Sequence, residues 1–196
     1  MLNQKGFKKL WLVALMVPML FLVACSDDNN AGGEGGDINE ITVAEIQAAQ
    51  VAWGEGLVAI STAFANGEDY VTIAAGVLND LYGFDYDPVL FKPTLTSEVP
   101  FRTDWYGAAS YFIGTSAPQV IAEDGPGFAT NPWTAVSFEN DWTHIINGET
   151  AIGMGTVVIT DDQGGLTTVH KSMAWFRDTD GHLRLQLHHS SVPFGS

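Results

Sequence analysis

The chain has 196 residues, with 8 Lys+Arg against 23 Asp+Glu, a net charge of −15, and a single cysteine. Binding nucleic acid relies on clustered Lys and Arg, so this balance argues against a nucleic-acid partner and against attraction to an anionic membrane surface. One thiol leaves no disulfide within the chain and no cysteine-rich zinc site.

Lys5, Lys8 and Lys9 precede the apolar run Leu10 to Ala24, which together read as a secretory signal over residues 1–24. The run is short for a bilayer span of ~20 residues, which disfavours an uncleaved anchor. It ends Leu22-Val23-Ala24-Cys25, which resembles the lipobox of bacterial lipoproteins. That resemblance implies lipid on Cys25, a mature N-terminus there, and attachment on the periplasmic side of the bacterial cell envelope. Ser26 in place of an acid after the cysteine favours the outer membrane. Residues 25–40 are polar, acidic and Gly-rich and read as a flexible tether. Losing the signal removes three lysines and no acid, leaving five basic residues against 23 acidic, a net of −18. Such a charge keeps a protein soluble. A thiol-free domain, residues 41–196, also suits an exported protein. It is long enough for one core.

Thr42-Val-Ala-Glu45 is a capping box, followed at helical spacing by Ile46, Ala49, Trp53, Leu57, Ile60 and Phe64. Asn66-Gly67 stops that helix. A second helix is predicted from Asp69 through Ile73, Val77 and Leu81 to Gly83, and Asp85-Tyr-Asp-Pro88 is a turn. Val89 to Thr94 reads as a short strand that Pro93 confines to an edge. Thr103 is predicted to cap a third helix through Tyr106, Ala109, Phe112 and Ile113, closed by Gly114. Residues 115–132 lack periodicity, the mark of a functional or mobile loop.

From Trp133 onward the pattern is strand and turn. Trp133 to Ile146 meets Glu149 to Thr160 across Asn147-Gly148, a two-residue hairpin signal. Strands Thr167–Arg177 and Leu183–Val192 complete a four-stranded antiparallel meander. Asp178-x-Asp180-Gly181 starts like a calcium loop but lacks the later ligands, so it reads as a turn. Three helices, an early strand and a meander make an α+β fold whose helices cover one face of a curved sheet, leaving a conical cavity suited to small molecules.

The last strand, Leu183-Arg-Leu-Gln-Leu-His188-His189-Ser190-Ser191, carries the chemistry. Side chains alternate between faces of a strand, so Leu183, Leu185 and Leu187 share one with His189 and Ser191, while His188 and Ser190 share the other. With the leucines inward, His189 and Ser191 enter the mouth of the cavity. There an imidazole can act as a general base near neutral pH. A single histidine on an apolar face is also the ordinary signature of a hydrogen-bonded core residue, and residues alone leave both readings open. The five histidines (144, 170, 182, 188 and 189) carry no metal-ligand spacing, so no metal and no cofactor is expected. The nearest acid–histidine pair, Asp141 and His144, falls on opposite faces of one strand, against an isomerase-type dyad.

Phe91-Lys-Pro-Thr-Leu95, Tyr111-Phe-Ile-Gly114, Gly127-Phe-Ala-Thr-Asn-Pro-Trp133, Phe138-Glu-Asn140 and the His-His-Ser-Ser ending, in that order, resemble the iota-class carbonic anhydrases. The likeness is to their metal-free bacterial and algal branch, related to the calcium/calmodulin-dependent kinase II association domain. It covers about residues 42–194. It implies an NTF2-like cone, hydration of CO2 to bicarbonate without metal, and a homodimer paired through the exposed sheet face. Carried over by motif, the bicarbonate-contacting residues fall on Thr94, Tyr111, His189 and Ser191, with Ser190 and His188 as further substrate contacts. The alternative is a non-catalytic NTF2-like domain for small-ligand binding or oligomerisation. CO2 hydration by chelated protein separates the two.

Overall fold

Thr42 opens the first helix as its capping box predicts. In the computed structural model, which describes residues 40–195, its hydroxyl accepts the Glu45 N–H at 3.2 Å and the Glu45 carboxylate accepts the Thr42 N–H at 2.8 Å. The predicted signal, Cys25 and nearly all of the tether lie outside the described residues. Helix α1 (Val43–Asn66) buries Ile46, Trp53, Leu57 and Ile60 of the predicted face together with Gln50, while Ala49 is half-buried and Phe64, in the last turn, is exposed. Gly67 ends it at φ 70°, a left-handed cap that favours glycine.

Asp69 caps helix α2 (Tyr70–Leu81) by accepting the Thr72 N–H at 3.0 Å. The helix stops at Tyr82 and not at the predicted Gly83, because Tyr82 is already extended and bridges Leu185 of the last strand. Helix α3 (Trp105–Ile113) is capped by Asp104 and not by Thr103. The Asp104 carboxylate accepts the Gly107 N–H at 2.8 Å, and a charged acceptor at this position makes the stronger hydrogen bond.

The aperiodic stretch that follows α3 is held in place. It contains three single 3-10 turns and is clamped by Arg102, whose guanidinium is wholly buried between Glu123 at 3.0 Å and Asp124 at 2.9 Å. Ser110 donates to Asp124 at 2.5 Å from within α3. Gly127 sits at φ 102°, ψ 146°, a region that side chains rarely adopt. A Cβ there would lie 2.5 Å from the Phe112 carbonyl oxygen, so only glycine lets the loop lie against α3.

One sheet takes all six strands in the order β1-β6-β5-β4-β2, with β3 also on β4. These are β1 (Leu90–Lys92), β2 (Trp133–Phe138), β3 (Thr143–Asn147), β4 (Thr150–Asp161), β5 (Leu166–Arg177) and β6 (Leu183–Ser191). The early strand β1 is an edge strand as Pro93 requires, parallel to β6 with Phe91 opposite His188. The predicted strand 133–146 is broken into β2 and β3, which pair with the two halves of β4. Side chains cause the break. Asp141 accepts the Thr156 N–H at 2.9 Å and its hydroxyl at 2.6 Å, while the Trp142 indole donates to the Thr156 carbonyl at 3.0 Å. These bonds satisfy the β4 backbone locally and leave no continuous ladder for one long strand.

The Asp178–Gly181 turn is a turn and no more elaborate: Asp178 accepts the Asp180 and His182 N–H groups and pairs with Arg184 at 2.6 Å. Helix α1 covers the inner sheet face, where Val157, Val169, Met173, Trp175 and Leu185 are buried.

Candidate active site

A β-bulge decides which residues reach the interior. Across β5 and β6, Trp175 pairs with Leu185 but Ala174 pairs with Leu187, so Gln186 is an extra residue in β6. Each inserted residue exchanges the faces of everything beyond it. The expectation that His189 and Ser191 continue the leucine face is therefore corrected. His188 and Ser190 are buried, each 2% exposed, and His189 is exposed on the opposite face with Ser191 half-buried beside it. His188 lies across from Met173 and Ser190 across from Lys171.

These side chains close a small hollow with Thr94, Tyr111 and Lys171, walled by the rings of Trp53, Phe91, Phe112 and Phe128. Its volume is about 10 Å³, close to the room one water requires. Thr94, at the end of β1, donates to Ser190 Oγ at 2.6 Å. Tyr111, from α3, lines the same hollow beside Thr94. Burial pushes the Tyr111 phenol up to about 12, so it keeps its proton throughout the neutral range. Thr94, Tyr111, His188 and Ser190 are thus brought together, while His189 and Ser191 are not.

Lys171 is the member that sequence reasoning missed. It is 4% exposed, its Nζ lies 2.8 Å from His188 Nε2 and 3.5 Å from Ser190 Oγ, and it sits 4.1 Å over the Trp53 ring. Burial lowers its pKa to about 7. A signal was available in the alternation Val169, Lys171, Met173, Trp175, which sets one lysine on an otherwise apolar face. His188 stacks on Phe91 with ring centroids 5.0 Å apart, and burial first, then Lys171 and His189, hold its pKa well below the usual histidine range. His189 is lowered too, chiefly by partial burial and then by Lys92 and Lys171.

Donor counting limits where the protons can sit. Trp53 Nε1 can only donate, and it gives to Tyr82 Oη at 3.0 Å. A Tyr82 hydroxyl that donates to His188 Nδ1, at 2.9 Å, leaves the neutral imidazole's proton on Nε2. That proton can be given to Lys171 only if the amine is uncharged and offers its lone pair. The lowered pKa of Lys171 agrees with this assignment. Among the described residues, no group of three or more His, Cys, Asp or Glu converges as a metal site.

Helices laid on a curved sheet around an enclosed polar hollow define an α+β cone of the NTF2-like class, as the order of elements implied. A likeness of fold alone extends to a putative calcium/calmodulin-dependent protein kinase II association domain from Xanthomonas campestris. It is 18% identical, with a TM-score of 0.53, covering 78% of this chain and 88% of that one. Closer likenesses carry function. The family model described as metal-independent carbonic anhydrase matches residues 44–192. A metal-independent carbonic anhydrase from Nostoc sp. is 46% identical over 157 residues, 79% of this chain and 75% of that protein. The crystal structure of an iota-carbonic anhydrase from a cyanobacterium, complexed with bicarbonate, superposes with a TM-score of 0.73 at 42% identity, covering 81% and 96% of the two chains. The chain belongs to the metal-independent, iota-class carbonic anhydrases. The non-catalytic alternative is set aside with that assignment.

Proposed function

We propose that CO2 is hydrated at the hollow between β1, α3, β5 and β6, which widens beyond the room of one water to admit it, with Lys171 as the base and the hydroxyls of Thr94, Tyr111 and Ser190 as the oxygen-binding set. The observation that carries this reading is the buried Lys171 amine, which lines one hollow with those hydroxyls and lies 3.5 Å from Ser190 Oγ, since a base must lie within hydrogen-bond reach of the water it activates. The water oxygen bonds to the carbon of CO2, one C–O π pair moves onto oxygen, and the water's proton goes to Lys171 Nζ. The products are bicarbonate and an ammonium beside it. Hydroxyl donors already oriented in a dry site stabilise the negative oxygens as they form. The aromatic walls suit CO2, which is apolar and small. His188 holds the amine in place from the far side through Nε2.

Proton release closes the cycle, and an ammonium with a pKa of about 7 gives up its proton readily at neutral pH. Purified protein is expected to retain stopped-flow CO2 hydration after exhaustive chelation. Activity that appears only when zinc is added back would overturn the mechanism.

We also propose that the enzyme works on the periplasmic side of the bacterial cell envelope, held at the outer membrane by lipid on Cys25, and as a homodimer. The lipobox supports the first part. Ile145, Ile152 and Met154, exposed at 71%, 52% and 60% on the outer sheet face, support the second. Cys25→Ser is expected to move the protein from membrane to soluble fraction, where sedimentation velocity should report two copies. A Cys25→Ser protein that stays with the membrane, or sediments as a monomer, removes the corresponding part.

A further inference from the structure

An amine that can take a proton from water can also attack the substrate itself. Lys171 Nζ is held in the hollow by a hydrogen bond from one side and faces Ser190 Oγ on the other, with Thr94 and Tyr111 beyond. We infer that Lys171 is a carbamylation site, whose amine adds reversibly to CO2 to give a carbamate seated among the Thr94, Tyr111 and Ser190 hydroxyls. The inference rests on the reading of this hollow as the CO2 site.

The bookkeeping is simple. The Nζ lone pair forms an N–C bond, one C–O π pair moves to oxygen, and one N–H proton leaves to solvent: amine plus CO2 gives carbamate plus H⁺, with no change of oxidation state. Burying the new carboxylate costs free energy unless its oxygens are hydrogen-bonded. Three hydroxyls surround the position, and the His188 Nε2–H, released from the amine lone pair, supplies a fourth donor. Lys92, the other lysine among the described residues, lacks this setting. It is half-buried on β1 and reaches only the Ser190 carbonyl, at 3.5 Å.

The carbamate takes the same Thr94, Tyr111 and Ser190 hydroxyls that the proposed hydration needs for its own oxygens. The adduct is therefore a brake that CO2 applies to its own hydration. It consumes the base and fills the site in one step.

The test uses full-length protein equilibrated with isotopically labelled bicarbonate at mildly alkaline pH, quenched with a trialkyloxonium salt that esterifies carbamates, and digested for mass spectrometry. Label is expected on Lys171, about a hundredfold above a solvated lysine amine, the ratio of their uncharged fractions. Lys171→Arg should carry none, and Ser190→Ala should carry less. A carbamate carbon resonance in the intact protein, absent from Lys171→Arg, is the second readout. No label on Lys171 in a protein that still hydrates CO2 overturns the carbamate and leaves the hydration mechanism standing. Equal label on Lys92 and Lys171 also overturns it. Label on Lys171 in a protein with no hydration activity supports the carbamate and defeats the hydration mechanism.

Discussion

Ser190→Ala is expected to lower kcat/KM for CO2 hydration by about a hundredfold, the loss typical of removing one donor from a pre-oriented anion site. Ser191→Ala, one residue on, should change it by less than about threefold, because its side chain lies on the other face of β6. His188→Ala and His189→Ala should divide in the same way. Removing His188 strips Tyr82 and Lys171 of a buried partner, which costs roughly 1–3 kcal/mol of stability for each group left unpaired, besides activity. His189 is exposed and orients nothing in the hollow. Four single variants, stopped-flow hydration and one urea titration each decide the matter. If Ser191 and His189 carry the losses, the bulge at Gln186 does not govern the site.

Lys171→Met should remove about 10²- to 10⁴-fold of activity, the usual worth of a general base. The pH profile gives the sharper reading. In the wild type, kcat/KM falls about tenfold per unit below about pH 7 as the amine is protonated, and the variant should lack that limb. Stability carries the same signature. Unfolded, Lys171 holds its proton up to its ordinary value of 10.5; folded, it loses it near 7. Between those values the unfolded chain binds the extra proton, so stability rises with pH by about 1.4 kcal/mol per unit. The slope is best read between about pH 7.5 and 9.5. Above that range Tyr111, raised to about 12, acts in the opposite direction, since the native state then keeps a proton the unfolded chain has lost. A wild-type slope no steeper than that of Lys171→Met would mean that the buried amine is charged.

Most of the fold could be read from local signals because those signals are local in origin. A capping box and a proline at a strand edge each act within a few residues and appear where the sequence puts them, while the Asn-Gly hairpin forms one residue later than read, with Gly148-Glu149 as its loop between the paired Asn147 and Thr150. Errors came where a distant partner overrides local pattern. Tyr82 leaves the helix to join Leu185, and Asp141 breaks a strand by bonding Thr156. The site was half legible for the same reason. Thr94 and Tyr111 follow from motif, but the parity of His-His-Ser-Ser depends on a single inserted residue set by pairing with β5. The doubled motif hides the error, since either face receives one histidine and one serine. Lys171 was visible as a charge in an apolar alternation, yet its meaning required the amine's neighbours.

The chain of hydrogen bonds running from Lys171 through His188 and Tyr82 stops at Trp53, whose indole has no lone pair to offer. It is a cul-de-sac for charge. A proton won from water therefore has no exit along this branch and must leave Lys171 by another route. Handing that proton to solvent is thus a step that small buffers should speed, and the rate of CO2 hydration measured against buffer concentration reports it.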